Sequence, residues 1–498
     1  MKEVAVAELV ERTILEWQTL MEQGDVSAVQ LTNMYLDRIA EIDPIINSVA
    51  ETNPDARDLA AALDDERQKT GARGPLHGIP IMVKDNLDSG DKMQTTAGSL
   101  ALEGHLAKKD SFVVQKLRDA GAVLLGKTNL SEWAYFRSTR GCSGWSSRGG
   151  QVRNPYALDR NPCGSSSGSG VATAAHLAAA TIGTETDGSI VCPSSANGIV
   201  GLKPTIGLVS RAGIVPIAHS QDTAGPMTRS VADAAAVLSA IVGADANDSI
   251  TQGATPVDYQ QFLKEDGLKG KRIGVARDYF GKHEGADKVI ESALKALEDC
   301  GATIIDPVSM GSLSLFGNVE FELLLYEFKH NLNSYLAAHA AKVKNLEDII
   351  AFNRQHADQV LPYFQQELLE MAQAKGGLDE DAYQNAKAEC LRLARDEGID
   401  KMISEHTLDA IVAPTQTPAW MIDPICGDKV LGGCSSPAAM AGYPHITVPA
   451  GYVYGLPVGL SFFSTAYTEG TLLECAYAFE QATHIRTPPK FQDHAETL

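Results

Sequence analysis

Serine, lysine and glycine are concentrated in three short stretches of this 498-residue chain. The densest is Cys163-Gly164-Ser165-Ser166-Ser167-Gly168-Ser169-Gly170. The Ala-rich residues 171–180 follow at once and read as a buried helix, so the loop is held against a core and is no flexible linker. Small residues ahead of a helix offer N–H groups and hydroxyls to an anion or a carbonyl oxygen. A phosphate cradle is excluded: no G-x-x-x-x-G-K-[ST] occurs, and Gly201-Leu202-Lys203-Pro204 has the wrong spacing. Gly164-x-Ser166-x-Gly168 matches a nucleophile elbow, but that motif needs a strand directly before it, and residues 152–162 are too polar and proline-broken to form one.

The second stretch runs Ile182-Gly183-Thr184-Glu185-Thr186-Asp187-Gly188-Ser189-Ile190. A serine preceded by glycine, in a turn between ordered segments, sits where successive backbone amides converge, as an oxyanion hole for acyl transfer requires. The third stretch is Gly78-Ile79-Pro80-Ile81-Met82-Val83-Lys84-Asp85-Asn86. As a strand it puts Ile79, Ile81 and Val83 on one face and Pro80, Met82 and Lys84 on the other. Apolar neighbours then depress the lysine pKa; the alternative is a surface lysine paired with Asp85.

Elements able to position these groups are legible around them. Ser27-x-x-Gln30 opens a helix through Leu31, Met34, Tyr35 and Ile39, and residues 54–68 form a second. Residues 111–120 read as helix and 122–125 as strand, with Thr128 or Asn129 capping a further helix. Strand 271–276, helix 286–300 and strand 302–305 repeat the rhythm, and 410–413 adds a buried strand. Strands alternating with helices indicate an α/β sheet protein. Residues from about 310 to 400 differ, being almost continuously helix-compatible over 321–341, 359–374 and 380–396.

Together the three stretches resemble the amidase-signature family of serine amidohydrolases, with its serine- and glycine-rich segment, its G-T-D-T-G-G-S-I-R segment and an upstream lysine ending a strand. The likeness extends to Gly201–Thr205, Asp222–Pro226, Ala441–Pro449 and Gly455–Leu460 and covers most of the chain outside 310–400. It implies one large α/β domain over residues 1–498, a central mixed β-sheet covered by helices, with 310–400 as a variable helical part facing substrate. Ser165 and Ser189 stand 24 positions apart, the spacing of the family's relay serine and nucleophile. By resemblance Ser189 is therefore the nucleophile, Ser165 the relay on a cis peptide bond after Gly164, and Lys84 the base. Thr186, Asp187 and Gly188 supply the oxyanion hole. For this Lys84 must fall from about 10.4 to roughly 7–8. No cofactor and no metal are implied.

Departures from the family pattern bear on substrate. Glu185 stands for Asp, Asp187 and Cys163 for Gly, and Val191 for the arginine. Loss of that cation weakens a reading as the glutamine-hydrolysing subunit of an aminoacyl-tRNA amidotransferase, since glutamine carries a carboxylate. The Glu-Thr-Asp-Gly-Ser-Ile variant, with Ser143–Gln151 and Arg153–Tyr156, most resembles bacterial peptide amidases, which release ammonia from C-terminal peptide amides. A small-molecule or peptide amide is thus the expected substrate, with a non-catalytic binding protein of the same fold as the remaining alternative. His77, His176, His219 and His445 lie beside matched motifs, but lone histidines near turns are usually structural, and no Ser-His-Asp triad is required.

Bulk composition is consistent with this. Net charge of −21 argues against a nucleic-acid partner. No stretch approaches ~20 uninterrupted apolar residues and residues 1–18 lack an apolar targeting core, so no membrane role is expected. Eight cysteines (142, 163, 192, 300, 390, 426, 434, 475) lack any C-x-x-C, and read as free thiols in a reducing cytoplasm. A monomer or homodimer is expected.

Overall fold

The computed structural model describes residues 9, 11–311, 313–339 and 342–496. Among these the strands are β1 Val49–Thr52, β2 Pro80–Lys84, β3 Val123–Thr128, β4 Trp145–Ser146, β5 Gly150–Gln151, β6 Ala180–Glu185, β7 Val200–Lys203, β8 Thr223–Thr228, β9 Arg272–Ala276, β10 Thr303–Val308, β11 Ala410–Pro414, β12 His445–Val453 and β13 Leu456–Phe463. Eleven form one sheet in the order β1-β3-β2-β6-β8-β7-β12-β13-β11-β9-β10, while β4 and β5 make a separate ribbon. Pairing is parallel for β2 with β3 and β6, and for β9 with β10 and β11. The remaining neighbours are antiparallel, so the sheet is mixed, as expected.

The period of two along each strand supplies two cores. On β11, Ala410 and Val412 join one apolar cluster while Ile411 and Ala413 join another; on β13, Phe462 and Phe463 divide the same way. A strand buried on both faces needs this near-continuous apolar run. The first cluster takes Leu31, Leu238, Ile290 and Phe479 from helices Ala28–Ile46, Val231–Ile241, Glu284–Asp299 and Glu469–Thr483. The second takes Leu323, Tyr383 and Met440 from helices Leu313–His339, Asp381–Leu391 and Ser436–Ala441. Part of the helical region near 310–400 therefore covers the sheet, while Leu325, Phe328, Leu332 and Ile349 pack in a third cluster with Ala97, Trp133 and Ile217 from loops and short turns. The region's long helix is also docked by a buried carboxylate: Glu327 accepts from Ser220 N at 3.0 Å, Ser220 Oγ at 2.9 Å and Tyr383 OH at 2.8 Å.

Local signals hold where a side chain can cap. Ser27 Oγ accepts from Gln30 N at 3.1 Å and Gln30 Oε1 accepts from Ser27 N at 2.9 Å, the expected capping box. Several boundaries differ. The helix expected after Thr128 or Asn129 is a short 3-10 turn, Glu132–Tyr135, because Trp133 and Ala134 are left-handed with φ of 53°. Asn129 Oδ1 is used on Leu130 N and Ser146 Oγ instead of on a helix end. The buried helix read over 171–180 is Ser167–Ala174, and Ala180 already opens β6 after a left-handed His176. The stretch 359–374 breaks around Pro362 into Ala357–Val360 and Glu367–Gln373, since proline supplies no N–H to continue the helix. Residues 340 and 341 of the stretch read over 321–341 lie outside the described residues, as does most of the 1–10 segment.

Phe462 is fully buried in the first cluster. Phe462→Ala is expected to cost about 3–5 kcal/mol in urea unfolding; a loss below about 1 kcal/mol would mean that this face of the sheet is not close-packed.

Candidate active site

Lys84 ends β2, which lies between β3 and β6, so its amine emerges among buried backbone on both sides. It is 0% exposed. Its Nζ lies 2.7 Å from Ser165 Oγ, 2.9 Å from Thr184 Oγ1 and 3.3 Å from Thr184 O. Burial pushes the amine down from 10.5 to about 7, against the opposing pull of Asp222 and Glu185. Pairing with Asp85 does not occur: that carboxylate bonds Arg148 Nη1 at 2.8 Å and Thr96 Oγ1.

The serine-rich loop sorts its hydroxyls by partner. Ser166 Oγ donates to Thr184 O at 3.0 Å and accepts from Thr184 N at 3.2 Å, stitching the loop to β6. Ser167 Oγ donates to Cys163 O at 2.6 Å, and Ser169 Oγ to Ile182 O at 3.2 Å. Ser165 alone of these four turns its hydroxyl to Lys84. The Gly164–Ser165 peptide is cis, as the resemblance implies. Gly168 is required by close approach: a Cβ there would meet Ser48 O at 2.3 Å and Asn129 O at 2.4 Å.

Ser189 follows β6 after a turn in which Gly188 has φ of 80°. Ser166 N donates to Ser189 O at 3.2 Å, which brings the two serine segments together. Glu185 holds the far side of the turn, accepting from Ile190 N at 2.7 Å and Val191 N at 3.0 Å, with buried Lys203 as its counter-charge. Thr186 Oγ1 donates to Asp222 Oδ1 at 2.6 Å; burial raises the Asp222 carboxyl to about 6. Asp187 Oδ2 accepts from Ser436 Oγ at 2.7 Å. The backbone amides of Asp187 and Gly188 meet no acceptor among the described residues.

Ser165, Thr186, Asp187, Gly188 and Ser189 line one cavity of about 430 Å³. Its walls are mainly apolar, from Phe136, Ile217, Phe321, Leu324, Trp420 and Val430, and Val191 adds no cation. Asp428 at the wall collects Ser143 N and Oγ, Asn161 Nδ2 and Trp420 Nε1. A larger groove of about 870 Å³, lined by Asp88, Lys108, Asp110 and His339, holds none of these site residues. The four histidines are engaged elsewhere: His77 with Leu63 O, His176 with Glu11, His219 with Asn331 and His445 with Ser461.

One expectation is corrected in the cavity wall. Cys163 and Cys192 form a disulfide, leaving six thiols rather than eight. Low cysteine density and the lack of C-x-x-C gave no sign of two distant cysteines that folding brings together.

The Amidase family model matches residues 30–473. The chain belongs to the amidase family. This amidase is 51% identical to the peptide amidase of Stenotrophomonas maltophilia, with a TM-score of 0.92 over 97% of this chain and 99% of that one. It is 42% identical to a probable amidase of Arabidopsis thaliana, over 97% of this chain and 92% of the relative. It is also 35% identical to a glutamyl-tRNA(Gln) amidotransferase subunit of Thermoanaerobacter pseudethanolicus, over 97% of this chain and 99% of that protein. The amidase is an amide-hydrolysing enzyme of the amidase-signature fold.

Two contributors to the candidate site had no sequence signal. Glu320, on helix Leu313–His339, accepts from Gln221 Nε2 at 2.7 Å, and burial beside Asp187 holds its carboxyl well above the usual range. Ser436 comes from the short helix Ser436–Ala441. Glu185, noted in the sequence only as standing for Asp, is the side chain that holds the turn through Ile190 N and Val191 N.

Glu185→Ala strands two buried amides, Ile190 N and Val191 N. A loss of about 1–3 kcal/mol of stability for each stranded amide is expected in denaturant titration, together with loss of amidase activity. A variant as stable and active as the parent would remove Glu185 from this role.

Proposed function

We propose that this amidase hydrolyses neutral primary amides, C-terminal peptide amides foremost, by acyl transfer to Ser189 with Ser165 relaying protons to and from Lys84. The environment of Lys84 Nζ carries the reading. A neutral amine has two N–H donors and one lone pair. Nζ lies within hydrogen-bond reach of three oxygens, Ser165 Oγ at 2.7 Å and the two of Thr184; with the pair on Thr184 taking both N–H donors of the neutral form, its lone pair is left for the Ser165 proton. Ser165 passes its proton to Lys84 and takes that of Ser189, whose Oγ adds to the amide carbonyl. N–H groups of the turn at Thr186, Asp187 and Gly188 stabilise the oxyanion. As the C–N bond breaks, Ser165 returns a proton to the leaving nitrogen and ammonia departs from an ester on Ser189. Water deprotonated through the same relay then hydrolyses the ester.

Several features support the substrate class. Identity to the peptide amidase is 51%. Val191 offers no cation, and Asp187 places negative charge beside the reacting serine, so a substrate carboxylate is disfavoured. Phe321, Leu324 and Leu368 form an apolar wall, which gives residues 313–373 the task of contacting the acyl side. A second reading, glutamine hydrolysis within an amidotransferase, rests on the 35% identity to the glutamyl-tRNA(Gln) amidotransferase chain and is opposed by the same two residues.

Ammonia release from a panel of peptide amides, aryl amides and free glutamine tests the choice; glutamine as the best substrate would reverse it. Ser189→Ala is expected to abolish hydrolysis with folding intact, and retained turnover would sink the nucleophile assignment. Because Lys84 acts when neutral, the rate rises with pH through about 7, and kcat/KM at pH 6 is expected to be roughly tenfold below its alkaline plateau. A flat profile between pH 6 and 8 would contradict a lysine base.

A further inference from the structure

Cys163 precedes Ser165 by two positions and Cys192 follows Ser189 by three. Their disulfide spans 29 residues and joins the two segments that carry the serines, with Cα atoms 6.1 Å apart. Cys163 is left-handed, with φ of 59°, a conformation that L-residues with a side chain rarely adopt. Cys192 lies in the first turn of helix Val191–Ala196, and its N–H bonds Gly188 O at 2.8 Å. Both cysteines line the cavity, and Cys192 is only half-buried, so a small thiol reaches the bridge through it. Other links between the segments do not depend on the bridge: Ser166 N to Ser189 O at 3.2 Å, and Asn197 Nδ2 to Pro162 O at 2.9 Å. The core strands β2 and β6 do not depend on it either.

We propose that the Cys163–Cys192 disulfide is a positioning device for the reaction, holding the Ser165 and Ser189 segments in register, and that its reduction lowers turnover without unfolding the enzyme. The inference rests on the Ser189–Ser165–Lys84 reading. The chemistry is thiol–disulfide exchange with a dithiol. One dithiol thiolate attacks a bridge sulfur and the other cysteine leaves as a thiolate. The second dithiol sulfur then displaces the attacked cysteine and closes a cyclic disulfide. Two electrons pass to the enzyme, and Cys163 and Cys192 each end as a thiol after taking a proton. Freed of the bridge, Cys163 is held only within its own loop, by its N–H on Asn161 Oδ1 at 2.8 Å and by Ser167 Oγ on its carbonyl at 2.6 Å, and the Gly164–Ser165 segment loses its covalent tie to the segment of Ser189. Such a bridge persists in oxidising compartments, so the expectation of a cytoplasmic location loses the support it drew from free thiols.

The test compares the oxidised full-length enzyme with the same protein after dithiothreitol, counting thiols as they rise from six to eight. Activity is read as kcat and KM on a C-terminal dipeptide amide, with far-UV circular dichroism alongside. On reduction kcat is expected to fall about 10- to 100-fold, the scale of a misplacement near 1 Å. KM should stay within about threefold, the spectrum should not change, and re-oxidation with diamide should restore the rate. The paired variant Cys163→Ala with Cys192→Ala should sit at the reduced rate and ignore dithiothreitol; if it does not fold, the reduction and re-oxidation of the parent decide alone. Unchanged kcat at eight titrated thiols overturns the proposal. So does finding eight thiols before reduction, or a loss of activity that merely follows loss of the spectrum. Ser189→Ala separates the two levels: hydrolysis surviving in that variant overturns the mechanism itself, whatever reduction does to the parent.

Discussion

The candidate site is built around one constraint, an amine buried inside the sheet. Moving Lys84 from 10.5 to about 7 corresponds to about 5 kcal/mol. The sign follows from protonation: the unfolded chain binds a proton that the folded chain resists between about pH 7 and 10.5. The penalty is fully present below about 7, shrinks as pH rises and vanishes above 10.5. Against a typical net stability of about 5–15 kcal/mol this is a large sum. The apolar cores on both faces of the mixed sheet offset it, and the same burial that imposes the cost makes the amine a base at neutral pH.

The end of β6 turns that burial into geometry. Thr184 takes the donors of Lys84 and clasps Ser166, which places Ser165. Glu185 points the other way and holds Ile190 and Val191. Thr186 returns to the first side and bonds Asp222. The last two residues of β6 and the first of the turn after it thus have three separate tasks. Substitution at any one of them disturbs the others through the shared backbone, so their effects should not add.

Much of this was legible in the sequence, for identifiable reasons. Ser165 and Ser189 stand in short segments rich in small residues, Lys84 ends an apolar strand, and the resemblance to a family joined the three; the structure brings Lys84 to Ser165 and gathers Ser165 and Ser189 in one cavity. Apolar runs such as 410–413 marked buried strands directly. What stayed hidden depends on pairs distant in sequence. Glu320 looks like any helix residue until Gln221 and Asp187 meet it, and Cys163 with Cys192 look like isolated thiols until folding joins them. The false helix after Asn129 shows the limit of capping signals, since an Asn side chain satisfies whichever amide or hydroxyl the fold presents. The helix read over 171–180 erred because alanine runs suit a buried strand start as well as a buried helix.

The long helix Leu313–His339 carries two buried acids seven residues apart, Glu320 toward Gln221 and Asp187, and Glu327 toward Ser220 and Tyr383. Seven residues is close to two helical turns, so both acids project from one stripe. An apolar stripe alone would let a helix roll or slide to the next comfortable packing. Two polar keys in fitted locks do not, because each would be left buried without its partner. The helix is therefore indexed against the sheet, and the side chains next to the first key, Phe321 and Leu324, face the cavity at a fixed depth. The width of the cavity at that point is thus set by the size of two side chains on a fixed mount, as a cutter is set in a tool holder that stays still.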